Sequence, residues 1–182
     1  MGCEKSGERM LVQETRSKTS KDITPKMFAT SGERFSDIKP SPVEGAAPQN
    51  WLAQPAKQFR LLNYRFGESG LSEVYVSLSS GGVRDNANRW LKQFGRDPLG
   101  EESFNSMEKI PVAGVEGVWV EAEGEYGSGM GADAKPGYAL AGVIADVGGQ
   151  ILTVKMVGPK NEVDAEKKPL RDFIGSLRMT GN

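Results

Sequence analysis

The hydrophobic positions of this chain change period along its length, from two in some segments to 3.6 in others. Apolar and polar residues alternate in residues 59–67 and again in residues 72–79. Glu68-Ser69-Gly70 between them is a turn signal, so these segments predict a β-hairpin. Residues 115–126 alternate in the same way and predict a further strand.

Two later segments are nearly continuous in apolar residues, 138–147 and 150–157, and Gly148-Gly149 lies between them. A Gly-Gly pair between two strand-like segments predicts a hairpin with a tight turn. Strands that are apolar on both faces are buried on both faces, so we expect a covering layer on each side of the sheet.

Helical spacing appears in three places. Residues 86–94 predict a short amphipathic helix, with Asp85 as its N-cap and Gly95 as its stop, and residues 101–108 predict a second. A terminal helix is predicted within residues 162–178, with Pro169 near the first turn of its well-formed part or at a bend. The chain is therefore predicted to be α+β, an antiparallel β-sheet sandwiched by helices, with a C-terminal helix.

Residues 1–48 differ from the remainder in composition. They are rich in Ser, Thr, Lys, Glu and Pro, and this composition buries too little apolar surface to offset the entropy of ordering. We expect a flexible polar tail over 1–48 and a single α+β domain over 49–182.

Cys3 is the sole cysteine of the chain and is followed by Glu4, Lys5 and Ser6. Gly2-Cys3 resembles the end of a bacterial lipoprotein signal, in which the cysteine is acylated and a polar spacer follows. Met1-Gly2 with Ser6 also matches the pattern for N-myristoylation, with Cys3 available for palmitoylation. An unmodified terminus is the third alternative.

Composition excludes several classes of chemistry. The chain has no histidine, which removes the usual general base and the commonest metal ligand, so zinc sites and serine or cysteine triads with histidine are not expected. The net charge is −1, which disfavours nucleic acid as a partner. We expect no cofactor, no metal, and contact with a membrane only through a lipid anchor at Cys3.

Several segments of the domain resemble a family of planctomycete and verrucomicrobial lipoproteins, and the element order resembles the PsbP-like, Mog-type α/β/α sandwich. The most specific segment is Asn86-x-Asn88-Arg89-Trp90-x-x-Gln93-Phe94-Gly95. The others are Phe59-Arg60-Leu61, Trp119-Val120-Glu121, Ile151-Leu152-Thr153-Val154-Lys155-Met156 and Phe173-Ile174-x-Ser176-Leu177-Arg178. The resemblance implies this fold and a place in the bacterial envelope, periplasmic or on the outer face, provided that a signal peptide has been removed.

Arg89, Trp90 and Gln93 are the candidate ligand-binding residues. A guanidinium beside an aromatic ring and an amide could hold a carboxylate or phosphate. The more ordinary interpretation is that Trp90 belongs to the core and that Arg89 pairs with an acid. Lys155 is unusual in an apolar strand, and we expect it at an edge or paired with an acid on a neighbouring strand.

Residues 124–131 are rich in glycine but lie between two strands, so we expect a long hairpin loop there, with Tyr126 and Met130 at its tip as a partner contact. Glu121, Glu123 and Glu125 share one face of the preceding strand and are expected to face solvent. No catalytic residue is assigned. The leading hypothesis is a membrane-tethered, non-enzymatic binding or accessory module with an unknown protein or small ligand as partner; the alternative is a hydrolase or lyase that uses only Glu, Asp and Lys.

Overall fold

The computed structural model describes residues 41–55, 59–127 and 133–180. The elements, in chain order, are β1 (Val43–Glu44), β2 (Leu52–Ala53), β3 (Leu62–Phe66), β4 (Ser72–Ser79), α1 (Val83–Lys92), α2 (Glu101–Asn105), β5 (Lys109–Val112), β6 (Val115–Tyr126), β7 (Lys135–Asp146), β8 (Ile151–Pro159), α3 (Lys160–Ser176) and β9 (Arg178–Met179). Seven of these strands form one antiparallel sheet in the order β2-β3-β4-β8-β7-β6-β5, and β1 pairs with β9 in a second, two-stranded sheet. None of the described helices is both long enough and apolar enough to span a bilayer.

The α+β class, the antiparallel sheet and the C-terminal helix are confirmed. Both hairpins form as predicted, β3 with β4 and β7 with β8. Gly148 and Gly149 turn the second hairpin with φ of 77° and 90°, backbone angles that glycine adopts without steric cost.

The sheet carries a separate apolar core on each face. Alternate residues of β4, β7 and β8 pack against α3, and this core includes Val74, Val154 and Phe173. The opposite residues of β6 and β7, including Val120 and Leu140, pack against α1. The nearly continuous apolar pattern of β7 and β8 therefore reflects burial on both faces, as expected.

The folded region extends on the N-terminal side of residue 49, the start that the sequence predicts. Val43 of β1 is buried in the α3-side core, and it pairs across to Met179 of β9. A two-residue strand is too short to show periodicity, so composition alone places residues 41–48 with the tail.

The bounds of several other elements differ from those predicted from the sequence, for local reasons. α1 begins at Val83, after Gly82 in an extended conformation, and Asp85 lies in the first turn instead of capping the helix. Residues 109–112 form the edge strand β5, in which Pro111 is tolerated because an edge strand has one unpaired side. Pro169 lies in the interior of α3, which begins at Lys160 directly after β8.

Candidate functional site

A cavity of about 170 Å³ opens where α1 crosses β4 and β8. Its lining is polar, made of hydroxyl and amide groups, two cationic side chains and one indole. The lining residues are Tyr75, Ser77, Ser79, Asn86, Arg89, Trp90, Gln93, Thr153 and Lys155. Among these described residues none is acidic, so the cavity favours a negatively charged or neutral polar occupant.

Strand alternation places the hydroxyl groups in the cavity. In β4 the odd-numbered residues Tyr75, Ser77 and Ser79 face α1, while the even-numbered valines face the other core. Across the sheet Ser77 is opposite Thr153, and their hydroxyl oxygens lie 2.7 Å apart in a hydrogen bond. The polar face of β4 and β8 is therefore a continuous surface that α1 covers only in part.

Trp90 lies directly over a glycine of the sheet. A Cβ on Gly142 of β7 would come within 3.0 Å of the Trp90 ring and 2.1 Å of the Val154 carbonyl oxygen. Only a residue without a side chain allows α1 to approach the sheet this closely. Trp90 is buried, so its indole forms both the wall of the cavity and part of the α1-side core.

Lys155 lies on the central strand β8, between Tyr75 on β4 and Gly142 on β7, and is only 1% exposed. Its Nζ donates a hydrogen bond to Oε1 of Gln93. The same nitrogen is 5.5 Å from the centre of the Trp90 ring and 5.6 Å from that of Tyr126, within the range of cation–π attraction. The expectation that Lys155 lies at an edge or pairs with an acid is wrong.

Burial lowers the pKa of the Lys155 ammonium to about 7; the carboxylate of Glu73 opposes this shift and the guanidinium of Arg60 reinforces it. Removal from water is costly for a charged amine, and neither the amide of Gln93 nor the two rings carries a full compensating charge. At neutral pH a substantial fraction of Lys155 is therefore the free amine.

Arg60 and Glu73 form an ion pair beside this lysine. Two parallel hydrogen bonds of 2.9 and 3.0 Å join them, and the Arg60 guanidinium lies 3.9 Å from the centre of the Tyr75 ring. Burial opposes ionisation of Glu73, but the hydrogen bonds and charge of Arg60 lower its pKa overall. Burial also raises the pKa of Tyr75, which keeps its hydroxyl protonated at neutral pH.

The structure brings the three candidate ligand-binding residues together on the cavity. Arg89 is exposed at the rim, Trp90 is the wall, and Gln93 is half-buried and holds Lys155. Among the ion pairs of the described residues none involves Arg89, so the expected pairing of Arg89 with an acid is absent there. Whether Arg89, Trp90 and Gln93 bind a ligand remains a prediction.

The asparagines of the same sequence segment have structural roles. Nδ2 of Asn86 donates to the Gly82 carbonyl at 2.9 Å, which fixes the start of α1. Oδ1 of Asn88 accepts a hydrogen bond of 2.8 Å from the Leu99 amide and so holds the segment that follows the helix. The segment thus contributes four residues to the cavity lining, and Asn86 is one of them in addition to its role at the start of α1.

Tyr126 is the last residue of β6, and its half-buried ring stacks on Tyr138 with centroids 5.8 Å apart. The ring packs within the domain next to Lys155 instead of standing at the tip of a loop as predicted. Met130 and Cys3 lie outside the described residues, so their roles as a partner contact and a lipidation site remain predictions.

The acidic face of β6 is paired with α3. Glu121 contacts Lys167 at 2.8 Å and Glu123 contacts Lys160 at 2.7 Å, although both carboxylates stay partly exposed. Each carboxylate therefore helps to dock the terminal helix. Over residues 41–55, 59–127 and 133–180, no group of three or more acidic or cysteine side chains converges where a metal ion could bind.

Sequence reasoning missed the hydroxyl-bearing wall of the site. Tyr75, Ser77 and Ser79 alternate with valine and leucine, and that alternation already places them on one face. What the sequence does not contain is the register of β4 against β8, which sets this face beside Lys155.

No protein-family model matches the chain, and no curated protein matches it either. Similar solved structures include a protein from Bacteroides thetaiotaomicron, with a TM-score of 0.49 and 11% identity over 80% of this chain and 48% of that one. The chain thus spans about half the length of that protein. LpqN of Mycobacterium tuberculosis, described as involved in cell envelope biogenesis, has a TM-score of 0.45 and 12% identity over 76% of this chain and 83% of its own.

Cyanobacterial PsbP (CyanoP) from Synechocystis sp. PCC 6803 has a TM-score of 0.42 and 12% identity, over 79% of this chain and 96% of that one. A PsbP protein is thus among the similar structures. Similarities this weak do not indicate a function for this chain, so the function is inferred from the cavity.

Proposed function

We propose that the domain is a binding module of the bacterial cell envelope that holds a small, polar, negatively charged molecule in the cavity beneath α1. The observation that carries this proposal is the composition of the lining: two cationic side chains, four hydroxyl groups and two amides surround the cavity without an acidic residue among the described ones. Arg89 at the rim supplies the paired donors that suit a carboxylate.

The size of the cavity restricts the ligand. Pockets for drug-sized molecules occupy about 300–1,000 Å³, and this one occupies about 170 Å³. A short carboxylate with hydroxyl or carbonyl groups fits this volume and matches the donors and acceptors around it. Lactate is the simplest probe with these properties.

A second part of the proposal concerns location. We propose that Cys3 carries a lipid and that the polar residues between it and the domain act as a spacer from the membrane. Support comes from the sequence resemblance to envelope lipoproteins and from the placement of Cys3 ahead of a polar segment. Intact mass of the natively expressed protein tests this part, because an acylated cysteine, a myristoylated glycine and an unmodified terminus differ in mass.

Isothermal titration calorimetry with lactate tests the binding part. We expect saturable binding to the wild-type chain and about a tenfold or greater loss of affinity in Arg89→Ala, since a charge-assisted hydrogen bond contributes about 1.5–3 kcal/mol. Arg84→Ala is the matched control, because Arg84 is also an exposed arginine of α1 but does not line the cavity. Equal affinities in the two variants would contradict this assignment of the site.

The alternative function is a lyase or hydrolase that uses only Glu, Asp and Lys. The acidic face of β6 does not favour hydrolysis, because Glu121 and Glu123 are each held by a lysine of α3. One observation does favour lysine-dependent chemistry: Lys155 is a buried amine that lines a cavity. Repeated turnover of a substrate, with a burst of product in the first cycle, would separate this alternative from binding.

A further inference from the structure

Lys155 differs from the other lysines for which contacts are described, because those are exposed or paired with carboxylates. Lys160, Lys167 and Lys168 all form ion pairs with acidic residues at the surface. The Lys155 amine instead has an amide oxygen and two aromatic rings around it and faces a polar cavity. This arrangement leaves its lone pair available to an occupant of the cavity.

We propose that Lys155 forms an imine with small 2-oxo acids that enter the cavity, with Arg89 holding their carboxylate. The inference rests on the proposed binding function, because it assigns the ligand class and adds a covalent step at the same site. A 2-oxo acid combines the two groups that the lining selects, an anion for Arg89 and a carbonyl carbon for the amine.

The step balances without an oxidant or a reductant. The lone pair of the free amine attacks the carbonyl carbon, a C–N bond forms, and one proton moves from the nitrogen to the former carbonyl oxygen, which gives a carbinolamine. The hydroxyl takes up a second proton from solvent and the nitrogen lone pair expels it as water, so the free amine, one proton and the oxo acid give an iminium ion and one water molecule. The hydroxyls of Tyr75, Ser77 and Thr153 line the cavity and can relay the protons.

The surroundings of Nζ suit the iminium product as well as the amine. An iminium nitrogen keeps one N–H, which can continue to donate to Oε1 of Gln93. Its positive charge stays near the faces of Trp90 and Tyr126, each less than 6 Å away. The contacts that hold the free lysine are therefore retained when the covalent bond forms.

The protonation state of Lys155 supports the step. Burial lowers the pKa of Lys155 to about 7. At pH 7 the neutral fraction of Lys155 is therefore on the order of a thousand times that of an ordinary lysine. Two charged groups act on this balance: Glu73 of β4 raises the pKa, and Arg60, which precedes β3, lowers it. Tyr75 of β4, Tyr126 of β6 and Arg89 of α1 also face the amine or the cavity beside it.

Reductive trapping tests the inference. The full chain is incubated at pH 7 with pyruvate and sodium cyanoborohydride, and the modified lysines are located by peptide mass spectrometry. Because far more of Lys155 is the free amine at pH 7, we expect its adduct to form at least about ten times faster than any adduct on Lys168, which is 87% exposed. Lys155→Met abolishes that adduct, and Lys168→Met, the matched control, leaves its rate unchanged.

A parallel titration without reductant separates the covalent step from binding. If pyruvate and lactate both bind while adducts are absent from Lys155 or spread over exposed lysines, the imine is refuted and the binding function stands. If neither compound binds and Lys155 gains no adduct, both proposals fail. Because the adduct is mapped on the wild-type chain, the outcome does not depend on whether Lys155→Met folds.

Discussion

Replacing Lys155 by methionine changes how stability depends on pH. Lysine keeps its proton in the unfolded chain up to about pH 10.5, and in the folded chain only up to about pH 7. Between these values the unfolded state holds the extra proton, so wild-type stability rises as the pH rises. Methionine has a similar length and no charge, so the variant lacks this dependence.

The magnitude follows from the two pKa values. Integrating the linkage relation from pH 7 to pH 9 gives the wild type a gain of about 2 kcal/mol in its free energy of unfolding relative to Lys155→Met. Below pH 7 both states hold the proton, so the difference becomes nearly constant. Loss of the hydrogen bond to Gln93 shifts the variant by the same amount at every pH and leaves the slope unaffected.

Urea denaturation followed by tryptophan fluorescence at pH 7, 8 and 9 measures this gain. The chain has no histidine, so the background slope in this window is small. Lys168→Met controls for loss of a surface charge, and it should run parallel to the wild type. If the free energies of unfolding of the wild type and Lys155→Met change in parallel with pH, Lys155 keeps its proton in the folded state. That result would refute both the lowered pKa and the free amine.

Two further predictions concern the support of the site. Gly142→Ala should lower the free energy of unfolding by about 3 kcal/mol and weaken lactate binding, because the added Cβ meets the Val154 carbonyl and the Trp90 ring. Gly175 lies in α3 with open space around it, so Gly175→Ala is the control and should raise the free energy of unfolding by about 0.5 kcal/mol. Urea denaturation measures both changes. Glu73→Gln should move the pH profile of pyruvate trapping to lower pH, since it removes the carboxylate that raises the pKa of Lys155 and leaves Arg60 uncompensated. If the pH profile of trapping stays where it is in Glu73→Gln, or shifts equally in the exposed control Glu125→Gln, then Glu73 does not set the pKa of Lys155.

The fold class and both hairpins could be predicted from the sequence because they depend on local patterns. Alternation marks β4, the Gly148-Gly149 turn marks the second hairpin, and helical spacing marks α1. The two-residue strands β1, β2 and β9 carry no pattern of their own and exist only through their partners. The edge strand β5 was hidden by Pro111, which indicates a helix end in a sequence but is tolerated at an edge.

The candidate site was only half predictable. Arg89 and Trp90 lie in the last turn of α1 and Gln93 is its C-cap, so their proximity follows from helical spacing. The position of Lys155 depends on long-range register: it is opposite Tyr75 on one side and Gly142 on the other. No local pattern predicts that a lysine in an apolar strand contacts the glutamine that caps the C-terminal end of α1, because that contact joins residues far apart in sequence.

The pairing of β1 with β9 brings residues 41 and 180 together, with the Thr180 amide donating to the Pro42 carbonyl at 2.9 Å and the Thr180 hydroxyl donating to the Ser41 carbonyl at 2.8 Å. The chain therefore enters and leaves the described domain at adjacent positions. A domain with adjoining ends can be spliced into a surface loop of another protein without forcing that loop apart, or closed by a short linker and reopened elsewhere as a circular permutant. Reopened at Gly148-Gly149, such a permutant would keep β8 and Lys155 on the central strand while removing the tight turn.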